Sequence, residues 1–152
     1  MLAITGLKHT KQVIRYSGIR FLKLLKQLKT MAEHNETGAL GEKLARDFLI
    51  AKGYQILEQN WVCGHKEIDI IAKDGDELVI VEVKTRKVPV IVEPEETIDR
   101  YKQQFLIWAA NAYVERNRLD IDVRFDIVAV VIDHNNEHRI DHTEDAFYPV
   151  GR

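Results

Sequence analysis

Four residues of this chain, Glu42, Asp69, Glu82 and Lys84, have types and spacing suited to breaking a phosphate ester. The run Leu78-Val79-Ile80-Val81-Glu82-Val83-Lys84-Thr85-Arg86 has the β-branched content of a buried strand but carries a Glu-x-Lys pair. Side chains alternate along a strand, so Glu82 and Lys84 share the face begun by Leu78 and Ile80. Charge on an apolar face is costly unless it is paired or ligated. Taken alone, the pattern also fits a strand running out of the core with an incidental ion pair. Asp69 then repeats the anomaly inside Ile68-Asp69-Ile70-Ile71-Ala72. A tight turn at Asp74-Gly75-Asp76 makes the two runs antiparallel neighbours and puts Asp69 opposite position 81 or 82. Two facing carboxylates favour a raised carboxyl pKa or a bound cation. Glu42 supplies a third acid. At about 100° per residue it lies about 20° around a helix from Leu49, at the edge of the apolar arc.

Such a set has the parts for metal-assisted phosphodiester hydrolysis. Mg²⁺ or Mn²⁺ prefers oxygen ligands and is held by one or two carboxylates plus water and substrate phosphate. Asp69 and Glu82 are the expected ligands, and the Val83 carbonyl is a third candidate oxygen. Glu42 would reach the same cation or a second one. Lys84 would orient or activate the attacking water and stabilise developing negative charge.

The elements that must position these residues follow from periodicity. Residues 37–52 read as a helix with Leu44, Ala45, Phe48 and Leu49 on one arc, stopped by Gly53. Strands are expected over 54–62, 68–73 and 78–85, the first two joined by a Cys63-Gly64-His65-Lys66 turn. Pro89 and Pro94 break the segment that follows. Residues 97–116 read as a second helix with Ile98, Phe105, Ala109 and Ala112 along one side. Strands over 124–133 and 139–142 close the chain around a turn at His134-Asn135-Asn136-Glu137. The order α-β-β-β-α-β-β predicts an α/β fold, a mixed sheet with a helix on each face.

Composition bounds the alternatives. The 152 residues are 45% hydrophobic and 30% charged, with 8 Gly and 3 Pro, which suits one globular domain and excludes collagenous or low-complexity chains. A single cysteine, Cys63, excludes an intrachain disulfide framework. With no apolar run near the roughly 20 residues that span a bilayer, a soluble protein of the reducing cytoplasm is expected. The net charge of −2 divides unevenly. Residues 1–30 hold Lys8, Lys11, Arg15, Arg20, Lys23, Lys26 and Lys29 and no acid; the rest holds 15 basic and 24 acidic residues, so the parts carry +7 and −9. Residues 17–29 read as a basic amphipathic helix with Phe21, Leu22, Leu25 and Leu28 on one side, suited to an anionic surface. Met31 opens a second plausible start, so residues 1–30 are expected to be a weakly ordered tail or a stretch upstream of the natural start, in preference to a membrane-surface or nucleic-acid arm, and 31–152 the nuclease-like domain.

The quoted segments resemble a known family. Gly41-Glu42, Asn60-Trp61, Glu67-Ile68-Asp69-Ile70-Ile71-Ala72, Val81-Glu82-Val83-Lys84-Thr85-Arg86, Lys102 and Arg124-Phe125-Asp126 are similar to the YraN family of small bacterial proteins. That family in turn resembles the restriction-endonuclease-like, PD-(D/E)xK nucleases, including archaeal Holliday-junction resolvases. The resemblance implies a restriction-endonuclease-like αβββαβ core, a divalent-metal site at Asp69 and Glu82, Lys84 as the catalytic lysine and Glu42 as the helix acid. It implies structured or branched DNA as substrate, or else a nuclease-fold binding module of a DNA-processing complex that cleaves little. Symmetric cutting of a junction would require a homodimer. Lys66 departs from the family, which usually has glycine before Glu-Ile-Asp.

Other residues carry weaker signals. Arg86, Lys87 and Lys102 are expected to contact nucleic-acid phosphates, with Arg100 extending the rim. His134 and His138 have the spacing of a helical metal pair but flank a turn, so a solvated loop is expected. Cys63 and His65 suit a plain turn better than a zinc site. Trp61 is expected to be a core or boundary aromatic rather than a base-stacking one, and Arg124 with Asp126 a structural ion pair.

Overall fold

The computed structural model describes residues 18–88 and 98–149. Its elements are α1 (Gly18–Ala51), β1 (Gln55–Cys63), β2 (Lys66–Asp74), β3 (Glu77–Lys87), α2 (Arg100–Asn117), β4 (Asp122–Ile132) and β5 (His138–Thr143). The expected α-β-β-β-α-β-β order is therefore present. The breaks expected at Pro89 and Pro94, and the helix start at Thr97, lie outside the described residues.

The chain divides into two compact units, Met1–Glu33 and His34–Arg152. The two helices read over 17–29 and 37–52 are one helix, because the linking residues lack proline and are rich in good helix formers such as Met31, Ala32 and Glu33. In the first unit Leu22, Leu24, Leu25, Leu28 and Met31 are exposed. Among the described residues, no helix is long and apolar enough to cross a membrane.

In the second unit α1 stops where expected. Gly53 takes φ 97°, its amide donates to the Ile50 carbonyl at 2.9 Å, and the Tyr54 amide donates to that of Leu49 at 3.0 Å. This crossed pair satisfies the last carbonyls and needs the left-handed backbone that glycine adopts without strain. At the start of α2, the Asp99 side chain accepts from the Lys102 amide at 2.8 Å.

The sheet runs β1-β2-β3-β4-β5, with β3 and β4 parallel and the other neighbours antiparallel. Being central, β3 is covered on both faces. On one side Leu78 and Ile80 pack in a cluster with Leu106, Ala109 and Tyr113 of α2. On the other, Val79 and Val81 pack with Ala45 and Leu49 of α1. This is the mixed sheet between two helices that the element order predicts, consistent with a restriction-endonuclease-like α/β fold.

One local feature breaks the strand rule. Ile68 belongs to the α2-side cluster and Ile70 to the α1-side cluster, although strict alternation would give both the same face. The pleat therefore changes phase at Asp69. Across from it, the ladder with β1 pairs Trp61 with Ile68 and Gln59 with Ile70, and the intervening Asn60 has φ 50°. Asparagine tolerates that left-handed conformation, whereas a β-branched residue does not. Asn60→Val is expected to cost about 1–2 kcal/mol and Asn60→Gly to cost little, read as shifts of the urea midpoint.

Candidate active site

The phase change at Asp69 brings its carboxylate to the middle of β3. Ile70 pairs with Val81, so Asp69 stands opposite Glu82 one step further along the same antiparallel register. The Val83 amide donates to Asp69 Oδ2 at 2.6 Å. Burial, then the Glu82 charge, push the Asp69 carboxyl up to about 7, against the lowering effects of the Val83 amide and Lys102; the Glu42 charge adds to the rise.

Glu82 is buried, with a side chain 7% exposed. Two ammonium groups meet it: Lys84 Nζ lies 3.2 Å from Oε1 and Lys102 Nζ 2.7 Å from Oε2. The second contact is close in distance but lies off the line of a hydrogen bond, so Oε2 is a buried oxygen with opposite charge beside it and no aligned donor. An anionic oxygen of this kind is a suitable ligand for a hard cation.

Gly41 determines how closely α1 approaches β3. A Cβ there would overlap the Thr85 hydroxyl and stand 2.6 Å from Thr85 Cγ2 and 2.7 Å from Thr85 Cβ. The absent side chain lets the helix close on the strand immediately beside Glu42, which is half-buried. Gly41→Ala is expected to destabilise the protein by about 1–3 kcal/mol, because the helix must back away. The three nearest atoms all belong to Thr85, so adding Thr85→Gly should recover part of that loss in a double-mutant cycle of thermal unfolding.

The residues expected from sequence are thus distributed as follows. Asp69, Glu82, Lys84 and Lys102 converge, the last across α2 as its helical position suggested. Glu42 is near enough for its charge to act on Asp69. Among the described residues, no three His, Cys, Asp or Glu side chains form a group ready to hold a metal ion. The carboxylates of Asp69 and Glu82 with nearby oxygens such as the Val83 carbonyl are a donor set whose chemistry would fit Mg²⁺ or Mn²⁺ rather than zinc. Arg86, Lys87 and Arg100 are exposed. His134 and His138 are exposed around their turn, and Trp61 packs edge-on against Tyr113 with ring centroids 5.3 Å apart.

Arg124 does far more than form a pair. Its guanidinium donates to Asp126 at 3.0 Å, Glu77 at 2.6 Å, Tyr54 at 2.7 Å and Asp74 at 3.0 Å. His142 Nε2 donates to Asp126 Oδ2 at 3.0 Å, while its Nδ1 accepts from the Lys52 ammonium at 2.9 Å. Burial opposes charge on Asp126, but the His142 and Arg124 hydrogen bonds outweigh it and hold that carboxyl below its ordinary range. The network ties β4 to β5, to both ends of the β2–β3 turn and to Tyr54 just after α1.

Sequence reasoning missed the approach of Gly41 to Thr85 and the left-handed Asn60, whose signals are a glycine within an amphipathic arc and an asparagine within a strand. It also missed the exposed aromatics of α2, Tyr101 and Trp108, whose helical spacing was available.

Comparison with known proteins agrees with the resemblance. Residues 41–130 match the model of the uncharacterised protein family UPF0102. A UPF0102 protein of Bacteroides thetaiotaomicron is 49% identical over 119 residues, covering 78% of this chain and 98% of that protein. One from Flavobacterium psychrophilum is 50% identical over 118 residues, with the same shares of each chain covered. One from Phocaeicola vulgatus is 44% identical over 119 residues, again 78% of this chain and 98% of its own length. With its Asp69, Glu82 and Lys84 inside the matched segment, this chain belongs to the UPF0102, YraN-like family.

Proposed function

We propose that the protein is a divalent-metal-dependent endonuclease that hydrolyses phosphodiester bonds in structured or branched DNA. The observation that carries this reading is the buried Glu82 carboxylate, flanked by Asp69 and by two lysines, with one oxygen lacking an aligned donor. Asp69 and Glu82 would hold Mg²⁺ or Mn²⁺, helped by the Val83 carbonyl and by Glu42 directly or through water. Such an ion, when bound, supplies Lewis-acid polarisation of the phosphate and lowers the pKa of a bound water. Lys84 orients the attacking water from beside Glu82 and offsets negative charge developing on the phosphate. Lys102 releases Glu82 to contact a substrate phosphate, and Arg86 and Lys87 extend that contact along the backbone.

A second reading has its own support. Lys102 already neutralises Glu82 at 2.7 Å, as a cation would, which suits a nuclease-fold module that binds nucleic acid and cleaves little. Purified protein decides between them. Incubation with junction, flap, single-stranded and duplex DNA in Mg²⁺ or Mn²⁺ should give cleavage that falls by about 10²–10⁴-fold in Lys84→Ala. Binding without cleavage in either metal would favour the module.

A further inference from the structure

One face of α2 carries aromatic rings that the fold does not need to bury. Tyr101 is 81% exposed and Trp108 56% exposed. Between them lies Phe105, half-buried against the α2-side core, with its ring centroid 6.2 Å from that of Trp108. Positions 101, 105 and 108 fall within about 60° of one another on a helix, so the rings form one row. The row begins at the site: Lys102, next to Tyr101, reaches Glu82, and its ammonium also stands 5.9 Å from the Phe105 centroid. Lys66, on β2, brings a second ammonium 5.3 Å from the same ring.

We infer that Tyr101, Phe105 and Trp108 form a stacking platform for the unpaired bases of a nucleic-acid strand, whose phosphates pair with Lys66 and Lys102. The chemistry of the row suits this occupant. An exposed ring stacks on any base whose π-face is free, and lysines beside the rings supply the charge that a polyanion requires. A fully paired duplex keeps its base faces within its own stack and would meet only the lysines. The platform thus assigns the substrate class as DNA with an unpaired segment next to the cleaved bond. In that respect it rests on the nuclease reading, although binding by the row does not require cleavage.

The test is a binding measurement on the full-length protein with a metal chelator present, which keeps the result independent of cleavage. Fluorescence anisotropy would compare a labelled single-stranded oligonucleotide of mixed sequence with the matching blunt duplex. Tyr101→Ala and Trp108→Ala should each weaken single-strand binding by about 5- to 100-fold and change duplex binding by less than about twofold. Trp108→Phe should retain most of the affinity, and Tyr148→Ala, an exposed aromatic outside α2, should leave it unchanged. Both alanine variants replace exposed side chains, and circular dichroism would check that they fold. Equal losses on single strand and duplex, no loss on either, or no single-strand binding by the unaltered protein would each overturn the platform. So would a change in sedimentation from dimer to monomer in Trp108→Ala with nucleic-acid affinity intact, since the row would then join two copies of this chain. If single-strand binding depends on the row while no metal restores cleavage, the platform stands and the hydrolase reading fails.

Discussion

Asp69→Asn is expected to make the metal-free protein more stable at pH 8, by on the order of 2 kcal/mol, and, on the proposed nuclease reading, to abolish metal-dependent cleavage. The Asp69 carboxyl is pushed up to about 7 by burial and by Glu82, whereas an unfolded chain releases that proton near the ordinary aspartate value of 3.8. Between those limits the folded protein holds a proton that the unfolded chain has lost. The stability contributed by this group is complete below the unfolded value and is lost as pH rises through 7. Asparagine keeps an oxygen for the Val83 amide and carries no charge to repel Glu82, so the variant should lack this part of the pH dependence. Added Mg²⁺ should raise the melting temperature of the unaltered protein and leave that of the variant where it was. Urea titrations at pH 5 and pH 8 measure the stability and its pH dependence, thermal melts with and without Mg²⁺ the metal effect, and a cleavage assay the activity. A variant less stable than the parent at pH 8 would mean that Asp69 serves the fold rather than a cation.

Arg124→Met should have the opposite effect, a loss of about 3–5 kcal/mol. The guanidinium is 9% exposed and Asp126 fully buried, so removing the arginine leaves acids without their main donor. Arg124→Lys should recover little, because one ammonium cannot reach four acceptors that a planar fork meets together. Asp126 also gives the protein an acid limit. Its pKa lies below the ordinary range, so its contribution is present above the unfolded carboxyl value and is lost as pH falls through the folded one. Chemical denaturation at neutral pH measures the main effect, and a loss below about 1 kcal/mol would show that solvent already serves these acids.

Much of this arrangement was legible in the sequence because it rests on local rules. Alternation on β3 and the turn at Gly75 together place Asp69 opposite Glu82, and the apolar residues on both sides of β3 predict a helix on each face. Lys102 could be read from its position on the helix, although its contact with Glu82 required α2 to dock. What the sequence leaves open depends on encounters between distant segments. Arg124 and Asp126 suggest a pair by their spacing, but Glu77, Asp74 and Tyr54 arrive from 47, 50 and 70 residues away. The phase change at Asp69 lies across from the left-handed Asn60 of another strand, and the need for glycine at position 41 comes from Thr85. Periodicity separates a basic helix from the one that follows, where the linking residues simply continue the helix.

The parallel pairing of β3 with β4 bears on how the protein comes into being. The β2–β3 hairpin is local in the chain and can zip early, so the two facing carboxylates are created first. A parallel neighbour needs a crossover, and here the crossover contains α2 and therefore Lys102. Closing that long loop is the slow, entropy-limited event of such topologies. During synthesis the acids thus await their second counter-charge until the ribosome has released both α2 and β4.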